Sequence, residues 1–404
     1  MKSHRTAIAV VSPFLDKHHG TERCVAEQVE RLVRDYEVRI YSNRVEEMDL
    51  SRLVWRRVPA LPGPHLFAYG WWFLANQLWR WWDRQFRGFN PALVYSPGVN
   101  CFDADVISVH AVFAEVELQA GKHPSPHATP LRAWPRLIHR KIYHRLVRSL
   151  ERMVYSKPGL TMACVSQKTA DEIARRYRHG QGVHVVRNAV NSHAFSPQLR
   201  LLRREAARRE WGLPEHHLTL LLIGNDWKSK GLWVLLEAVK RSPHLALTLL
   251  VVGEDDRAPF AAFIRESLLE QRVRFLEPSP DVMRFYAATD VYVGPSLHDS
   301  YGLPVLEAMA SGLPVIASSR CGVAEIISAG TDGFILGDPT DARELAELLD
   351  RLYHDRHLRL RIGESAAKTA QRWTWDRNAA ELAGLMERVL AAKESHQLME
   401  KQAV

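Results

Sequence analysis

Apolar positions along the chain fall into short runs rich in Val and Ile, separated by amphipathic stretches with helical spacing. Continuous apolar runs of this kind are typical of parallel strands that helices cover on both faces. The first half of the chain contains six such runs: Ala7–Val11, Val38–Tyr41, Leu93–Tyr95, Val106–Val109, Met162–Val165 and Val183–Val186. The second half contains six more: Leu218–Ile223, Leu245–Val252, Val273–Leu276, Val291–Val293, Pro314–Ala317 and Gly333–Leu336. This pattern predicts an α/β protein with two doubly wound sheets.

A polar, proline-containing segment, Asn188–Pro197, separates the two series of strands. We place a domain boundary there, with a first Rossmann-like domain over residues 1–192 and a second over residues 193–372. A length of 404 residues suits two domains, and 46% hydrophobic with 25% charged residues is typical of a globular protein. Because ligands of doubly wound sheets bind beyond the carboxyl ends of the strands, the sequence predicts a site in a deep cleft between two facing domains.

Net charge narrows the classes of partner, and cysteine usage narrows the kinds of metal site and the cellular compartment. A formal net charge of +8 favours anionic partners. Nothing in the sequence resembles a nucleic-acid-binding signature, so acidic lipids and phosphorylated small molecules are the preferred partners. The four cysteines lie far apart with no C-x-x-C pair, which argues against a zinc site and favours a reducing compartment.

Neither a signal peptide nor a membrane-spanning helix is expected. The first apolar run, Thr6 to Val11, is short and is followed by a polar loop, so we interpret it as a buried strand. The aromatic stretch from Leu66 to Trp82 is interrupted by polar residues and is shorter than the roughly 20 residues that span a bilayer. We therefore expect a cytoplasmic protein, with the inner face of the plasma membrane as one location to consider.

The segment His298 to Ser318 is the most specific motif in the chain. It follows the predicted strand Val291–Val293, and we expect a loop and then a helix from about Pro304 to Ser311. Gly302, just before that helix, lets a ligand approach the exposed N–H groups, where the helix dipole favours phosphate. Asp299 and Glu307 could accept hydrogen bonds from pairs of sugar hydroxyls. The alternative is a buried helix that merely follows an exposed loop.

Two glycine-containing loops supply further candidate residues. After the first strand of the second domain, the loop from Gly224 ends in Lys230-Gly231, which can set an ammonium group against a diphosphate. The alternative is a solvated lysine in a turn. In the first domain, Gly20 in Lys17-His-His-Gly-Thr-Glu-Arg23 would open a helix at the end of the first strand, although a single glycine is more often simply a turn.

Together these segments resemble the family 4 retaining glycosyltransferases of GT-B fold. The segment from Asp299 through Glu307 to Val315 is similar to their E-x7-E motif, and Gly224 to Gly231 resembles their phosphate-binding loop. Shorter likenesses are found in Gly20-Thr-Glu-Arg23, Val186-Arg-Asn-Ala-Val-Asn191, Gly322-Val-Ala-Glu325-Ile-Ile and Trp373-Thr-Trp-Asp-Arg-Asn378. The resemblance covers nearly all of the second domain and only short pieces of the first. It implies that residues 373–404 form a helix that crosses back to the first domain.

The resemblance also implies residue roles. Glu307 would hold the ribose hydroxyls, Asp299 would contact the donor sugar, and Lys230 with the amides near Gly20 would bind the diphosphate. His110 corresponds to a histidine beside the donor sugar in many members, although it could simply pack at a strand end. The predicted catalytic residues are Lys230, Asp299 and His110, and the predicted donor-binding residues are Gly20, Asn225, Lys230, Ser300, Tyr301, Gly302, Leu303 and Glu307. The family mechanism retains the anomeric configuration and needs neither a metal nor a cofactor besides the donor.

The sequence departs from the family at two of these positions. Members usually carry Glu where this chain has Asp299, which puts the identity of the donor sugar in doubt. Many also carry Arg where this chain has Asn225. Two alternatives follow. Lys228 supplies the missing positive charge, or Lys230 alone stabilises the leaving group.

Acceptor recognition is expected in the first domain, where two segments allow more than one interpretation. Six tryptophans between Trp55 and Trp82 are either core residues or a platform for lipid or sugar. In Pro135–Tyr155, one i, i+4 series is apolar (Ile138, Ile142, Leu146, Leu150, Val154) and a second, on the opposite face, is basic (Arg136, Arg140, His144, Arg148, Arg152). This is either an ordinary surface helix or a face that contacts an anionic membrane.

These observations predict a retaining glycosyltransferase that moves a sugar from a UDP- or GDP-sugar to a glycan or lipid-linked acceptor in cell-envelope or exopolysaccharide synthesis. Two other classes stay open. One is a nucleotide-sugar epimerase or a phosphorylase of the same architecture. The other is a non-catalytic scaffold that binds sugar nucleotides, to which the departures at Asp299 and Asn225 lend slight weight.

Overall fold

The computed structural model describes residues 5–17, 20–115, 134–177 and 182–402. The chain divides into two compact units. The N-terminal unit comprises Met1–Arg187 and Trp375–Val404, and the C-terminal unit comprises Asn188–Thr374. The boundaries expected from the sequence, after residues 192 and 372, fall near these divisions.

A parallel seven-stranded sheet forms the centre of the N-terminal unit, in the order β5-β3-β1-β6-β7-β8-β9. Its strands are β1 (Ala7–Val11), β3 (Glu37–Ser42), β5 (Val54–Arg57), β6 (Leu93–Pro97), β7 (Val106–Val109), β8 (Thr161–Cys164) and β9 (Val183–Val185). Two short strands, β2 (Phe14–Leu15) and β4 (Arg44–Val45), pair separately. Helices described in this part of the chain are α1 (Gly20–Leu32), α2 (His65–Arg87), α3 (Trp134–Tyr155) and α4 (Gln167–Tyr177). The six strands predicted for the first half are confirmed.

The edge strand β5 was not predicted. Its sequence, Val-Trp-Arg-Arg, is partly exposed along its length, so it lacks the apolar run that marks a strand covered on both faces. It pairs in parallel with β3, from Arg39 opposite Val54 to Ser42 opposite Arg57.

The C-terminal unit contains a parallel six-stranded sheet in the order β12-β11-β10-β13-β14-β15. The strands are β10 (Leu218–Ile223), β11 (Leu247–Val252), β12 (Val273–Leu276), β13 (Val291–Gly294), β14 (Val315–Ser318) and β15 (Phe334–Leu336). All six strands predicted here are confirmed. Because the first strand of the unit, β10, lies between β11 and β13, the order reverses at this point, and ligands of such sheets bind there.

Helices pack against both faces of this sheet. They are α5 (Pro197–Glu210), α6 (Leu232–Arg241), α7 (Ala258–Glu266), α8 (Met283–Ala288), α9 (Leu303–Ala310), α10 (Ala342–His354) and α11 (Arg356–Ala370). A short 3-10 helix spans Gly322–Ile326. The helix expected from about Pro304 to Ser311 is present as α9.

The last helix, α12 (Trp375–Gln402), belongs to the N-terminal unit. Its buried residues Leu382, Leu385 and Met386 lie in the same apolar cluster as Ile8 and Val10 of β1. Within the part of the chain that the structure describes, no helix has both the length and the apolar character needed to cross a membrane.

Candidate active site

Two loops meet at the carboxyl ends of the neighbouring strands β10 and β13. The first runs from Gly224 to Gly231 and leads into α6, and the second follows β13 and leads into α9. A Cβ atom at Gly231 would lie 2.0 Å from the carbonyl oxygen of Pro295, so only glycine permits this approach. The backbone N–H of Leu297 also donates to the carbonyl of Ser229, at 2.8 Å. These contacts fix the two loops against each other.

Lys230 and Asp299, one from each loop, form an ion pair. The Lys230 Nζ atom lies 2.5 Å from Oδ2 of Asp299, and the two side chains are 26% and 15% exposed. Burial opposes the charged form of Lys230, but the neighbouring Asp299 carboxylate outweighs burial, and the pKa of the ammonium group is raised above its usual value. Lys230 therefore carries a full positive charge at neutral pH.

Hydrogen bonds on several sides fix Asp299 in place. Its second carboxylate oxygen, Oδ1, accepts from the backbone N–H of Tyr301 at 3.2 Å. Its own N–H donates to the carbonyl of Arg320, and its carbonyl accepts from the N–H of Gly322. The carboxylate thus has a defined direction, as recognition of a sugar hydroxyl requires.

Gly302, the residue just before α9, has a left-handed conformation, with φ of +89°. A Cβ atom there would lie 2.4 Å from Sγ of Cys321, so backbone conformation and close packing both require glycine. The positive end of the helix dipole lies at this start of α9, where the N–H of Leu303 precedes Pro304, which has no N–H, and the N–H of Val305 donates to the carbonyl of Gly302. Leu303 is 8% exposed at this helix start, and the neighbouring Ser300 is half-buried. Such a helix start favours a phosphate or another anion.

Glu307 lies one turn into α9 and is buried, with 4% of its surface exposed. Its Oε2 atom accepts a hydrogen bond of 2.7 Å from the hydroxyl of Tyr286, in α8. The same hydroxyl contacts the carbonyl of Pro304. The sequence analysis missed Tyr286, because it lies in a separate, largely apolar helix with no recognisable motif.

Asn225 and Tyr301 have structural contacts that the sequence did not predict. The Oδ1 atom of Asn225 accepts from the backbone N–H of Glu254 at 2.9 Å, which joins the loops after β10 and β11. Tyr301 is buried, and its hydroxyl donates to the carbonyl of Asn188 at 2.8 Å. The structure therefore shows the Tyr301 side chain as a packing residue, while its backbone lies beside Asp299.

Gly20 and His110 belong to the N-terminal unit. Gly20 is the first residue of α1, and His110 directly follows β7. The Nε2 atom of His110 lies 3.1 Å from Oγ of Ser108, and burial lowers the pKa of the imidazole to about 4. His110 is therefore neutral at pH 7. The structure brings Lys230, Asp299, Gly302 and Glu307 together in the C-terminal unit, and the roles predicted for Gly20 and His110 stay predictions.

One group among the described residues could hold a metal ion, formed by His244, Asp350 and His354. His244 follows the C-terminal end of α6, whereas Lys230 precedes its N-terminal end. None of the three is a predicted donor-site residue.

Comparison with known proteins supports the family indicated by these features. Residues 203–369 match the family model described as glycosyl transferases group 1, and residues 18–193 match the one described as glycosyltransferase family 4. The chain is 28% identical over 246 residues to a D-inositol 3-phosphate glycosyltransferase of Corynebacterium aurimucosum. The aligned region covers 58% of each protein. The match thus spans less than two thirds of that relative.

Solved structures share the fold. WaaG, a glycosyltransferase involved in lipopolysaccharide biosynthesis, superposes with a TM-score of 0.75 at 20% identity, over 93% of this chain and 98% of WaaG. HepE of Anabaena, solved in complex with UDP and glucose, gives 0.70 at 17% identity, over 95% of this chain and 100% of HepE. The two Rossmann-like halves are those of the GT-B class of glycosyltransferases. Within that class, the chain belongs to glycosyltransferase family 4.

Proposed function

We propose that this protein transfers a glycosyl group from a nucleoside diphosphate sugar to a glycan or lipid-linked acceptor in cell-envelope or exopolysaccharide synthesis. The observation that carries the proposal is the Lys230–Asp299 ion pair beside the start of α9. A fixed ammonium group and a helix N-terminus together suit a diphosphate, and a directed carboxylate suits a sugar hydroxyl.

Each of these groups has a role in the proposed reaction. As the glycosidic bond to the diphosphate breaks, negative charge develops on the leaving phosphate, and Lys230 and the first turn of α9 stabilise that charge. Glu307, oriented by Tyr286, accepts hydrogen bonds from the ribose hydroxyls. Asp299 holds a hydroxyl of the transferred sugar. These groups position the donor and offset its charge.

We further propose that the reaction retains the anomeric configuration and needs no metal or resident cofactor. The departing phosphate would take the proton of the acceptor hydroxyl while that hydroxyl attacks from the same face. Undiminished turnover in EDTA, together with NMR of the product anomer, tests both statements. Loss of turnover in EDTA or an inverted product would contradict them.

The donor is proposed to be a UDP- or GDP-sugar. HepE, which shares the fold, has been solved with UDP and glucose. This supports testing UDP-sugars as donors first. Some relatives are named as D-inositol 3-phosphate glycosyltransferases. Phosphorylated polyols are therefore a further class of acceptor to test. We place the reaction in the cytoplasm, where a lipid-linked acceptor would be met at the inner face of the plasma membrane.

A thermal-shift screen with UDP-, GDP- and ADP-sugars identifies the donor base. A nucleotide present at 100 times its Kd should stabilise the protein by about 2.7 kcal/mol. Hydrolysis of the radiolabelled donor then tests catalysis, with Lys230→Ala expected to abolish it. Lys240→Ala, in the exposed part of α6, is the matched control and should leave it unchanged.

Three outcomes would contradict the proposal. Conversion of the nucleotide sugar to its epimer without release of the nucleotide would indicate an epimerase. Turnover only with orthophosphate as acceptor would indicate a phosphorylase. Binding without turnover of any donor would indicate a scaffold.

A further inference from the structure

The C-terminal unit contains a small cavity at the edge of its sheet opposite the candidate active site. Asp290, which directly precedes β13, and Pro314, which directly precedes β14, both line this cavity. The candidate active site instead lies at the carboxyl ends of β10 and β13. We call the cavity the arginine pocket, because four arginines of α5 and α11 line it: Arg200, Arg204, Arg356 and Arg359.

Asp290 is the only acidic residue among the described residues that line the arginine pocket. Its Oδ1 atom accepts a hydrogen bond of 2.6 Å from Arg204. Its Oδ2 atom accepts from the backbone N–H of Thr219 at 2.8 Å and from Arg208, outside the pocket, at 3.2 Å. The single carboxylate is therefore already shared between two arginines, and it leaves most of the positive charge of the pocket without a counter-ion.

The remaining arginines contact neutral groups or no group. Arg200 donates from Nε to the carbonyl of Ser311 at 2.8 Å, and Arg359 donates to the carbonyl of Tyr353 at 2.9 Å. These bonds orient the two guanidinium groups but supply no negative charge. The side chain of Arg356 is exposed and has neither a hydrogen-bond nor an ion-pair partner within the part of the chain that the structure describes.

The crowding of positive charge affects the arginines themselves. The pKa of Arg200 is lowered to about 10, first because the guanidinium is buried and then because Arg204 lies nearby. Burial also lowers the pKa of Arg359, and Arg356 and Arg204 act in the same direction, against the opposing effect of Asp290. All four arginines still carry their charge at neutral pH, so an anion in the pocket would be attracted by each of them.

We propose that the arginine pocket binds a phosphate group, either as inorganic phosphate or as part of a small phosphate monoester. Guanidinium groups match the geometry of phosphate oxygens, and a phosphate carries close to two negative charges at neutral pH. The cavity volume of about 140 Å³ suits a single phosphate group, since pockets for larger ligands usually exceed about 300 Å³. A bound phosphate would join α5 to α11. This inference goes beyond the proposed function and does not depend on it.

Calorimetric titration of the full chain with inorganic phosphate, at constant ionic strength in chloride buffer, tests the pocket. Wild-type protein should bind phosphate saturably. Arg356→Ala should bind it about tenfold more weakly, because one charge and its hydrogen bonds to the anion are lost. Arg361→Ala removes an equally exposed arginine of α11 that does not line the pocket, and binding should not change. Circular dichroism establishes that both variants are folded.

Two further titrations identify the ligand and its location. Tighter binding of glycerol 3-phosphate than of inorganic phosphate assigns the pocket to a monoester, and equal or weaker binding assigns it to free phosphate. In both cases Arg356→Ala should weaken the binding. Because Lys230 could hold phosphate in the candidate active site, the titration is repeated with Lys230→Ala, which should keep the binding that Arg356→Ala weakens.

Four results would overturn the inference. One is no saturable binding up to about 10 mM phosphate. Another is equal affinity in Arg356→Ala and Arg361→Ala. The third is loss of binding in Lys230→Ala together with normal binding in Arg356→Ala, which would place the phosphate in the candidate active site. The fourth is binding of acetate as tight as that of phosphate, which would assign the pocket to carboxylates.

Discussion

Replacement of Lys230 by Met separates the structural role of the ion pair from its role towards the donor. Methionine keeps much of the apolar stem that packs beside Gly224, where a Cβ would lie 3.1 Å from Cε of Lys230, and removes only the charge. Asp299 then stays in a site where 15% of its side chain is exposed, without its main counter-ion. The pair is less exposed than a surface pair but not fully buried.

That intermediate burial sets the expected loss of stability. Exposed pairs contribute up to about 1 kcal/mol, and breaking a buried pair costs about 3–5 kcal/mol. We therefore expect Lys230→Met to lower the free energy of unfolding by about 2 kcal/mol. The double variant Lys230→Met with Asp299→Asn should recover part of this loss, because no uncompensated carboxylate remains. The coupling energy should be about 1–2 kcal/mol.

Activity should behave differently from stability. A fixed charge that stabilises the leaving diphosphate contributes about 100- to 1,000-fold to kcat, and Asp299→Asn cannot restore it. The measurements are chemical denaturation and initial rates of donor turnover, with Lys240→Met as the surface control. Turnover within about threefold of wild type in Lys230→Met, or turnover restored in the double variant, would refute the role of Lys230 at the diphosphate.

Three further predictions concern single residues. Gly302→Ala, which forces a Cβ against Cys321, should destabilise the protein by about 2–3 kcal/mol, and Cys321→Ala should relieve part of that loss in a double variant; an unchanged Tm would contradict the packing argument. Glu307→Gln should weaken nucleotide binding about tenfold in calorimetry, and Tyr286→Phe, which only removes an orienting hydrogen bond, should weaken it less; the reverse order would count against ribose binding by Glu307. The pKa of His110 is about 4 in the folded protein, below its ordinary value of about 6.5 in the unfolded chain. As the pH falls, the unfolded chain therefore takes up a proton at His110 before the folded protein does. The free energy of unfolding should fall by up to about 3 kcal/mol between pH 6.5 and pH 4. His110→Gln should reduce that fall, and parallel pH profiles of Tm for the two proteins would contradict the assignment.

The strands of both sheets could be predicted because parallel strands covered on both faces form continuous apolar runs, as in Leu218–Ile223. The same reasoning could not find β5, whose arginines suit an edge position. It also could not decide which face of α2 is buried. Apolar residues lie on both sides of that helix, and its buried polar residues Asn76, Arg80 and Asp83 mark the side that faces the core.

The sequence predicted which residues belong to the candidate site better than it predicted the contacts between them. The motifs identified Lys230 and Asp299, but each was assigned to the donor, and nothing in the sequence shows that two residues 69 positions apart bond to each other. The contact of Asn225 with the N–H of Glu254 depends on the approach of two loops, which local sequence does not encode. Tyr286 reaches Glu307 through the packing of α8 on α9.

The path of the chain through its two units has a consequence for synthesis on the ribosome. The C-terminal unit is one uninterrupted segment, Asn188–Thr374, whereas the N-terminal unit lacks Leu382, Leu385 and Met386 of its core until α12 has emerged. The second unit to be translated is therefore the first that can complete its fold. Meanwhile the nascent N-terminal sheet exposes the apolar surface that α12 later covers, and at 5–20 residues per second this interval lasts on the order of ten seconds or more. Translation of α12 thus determines when the N-terminal unit becomes stable.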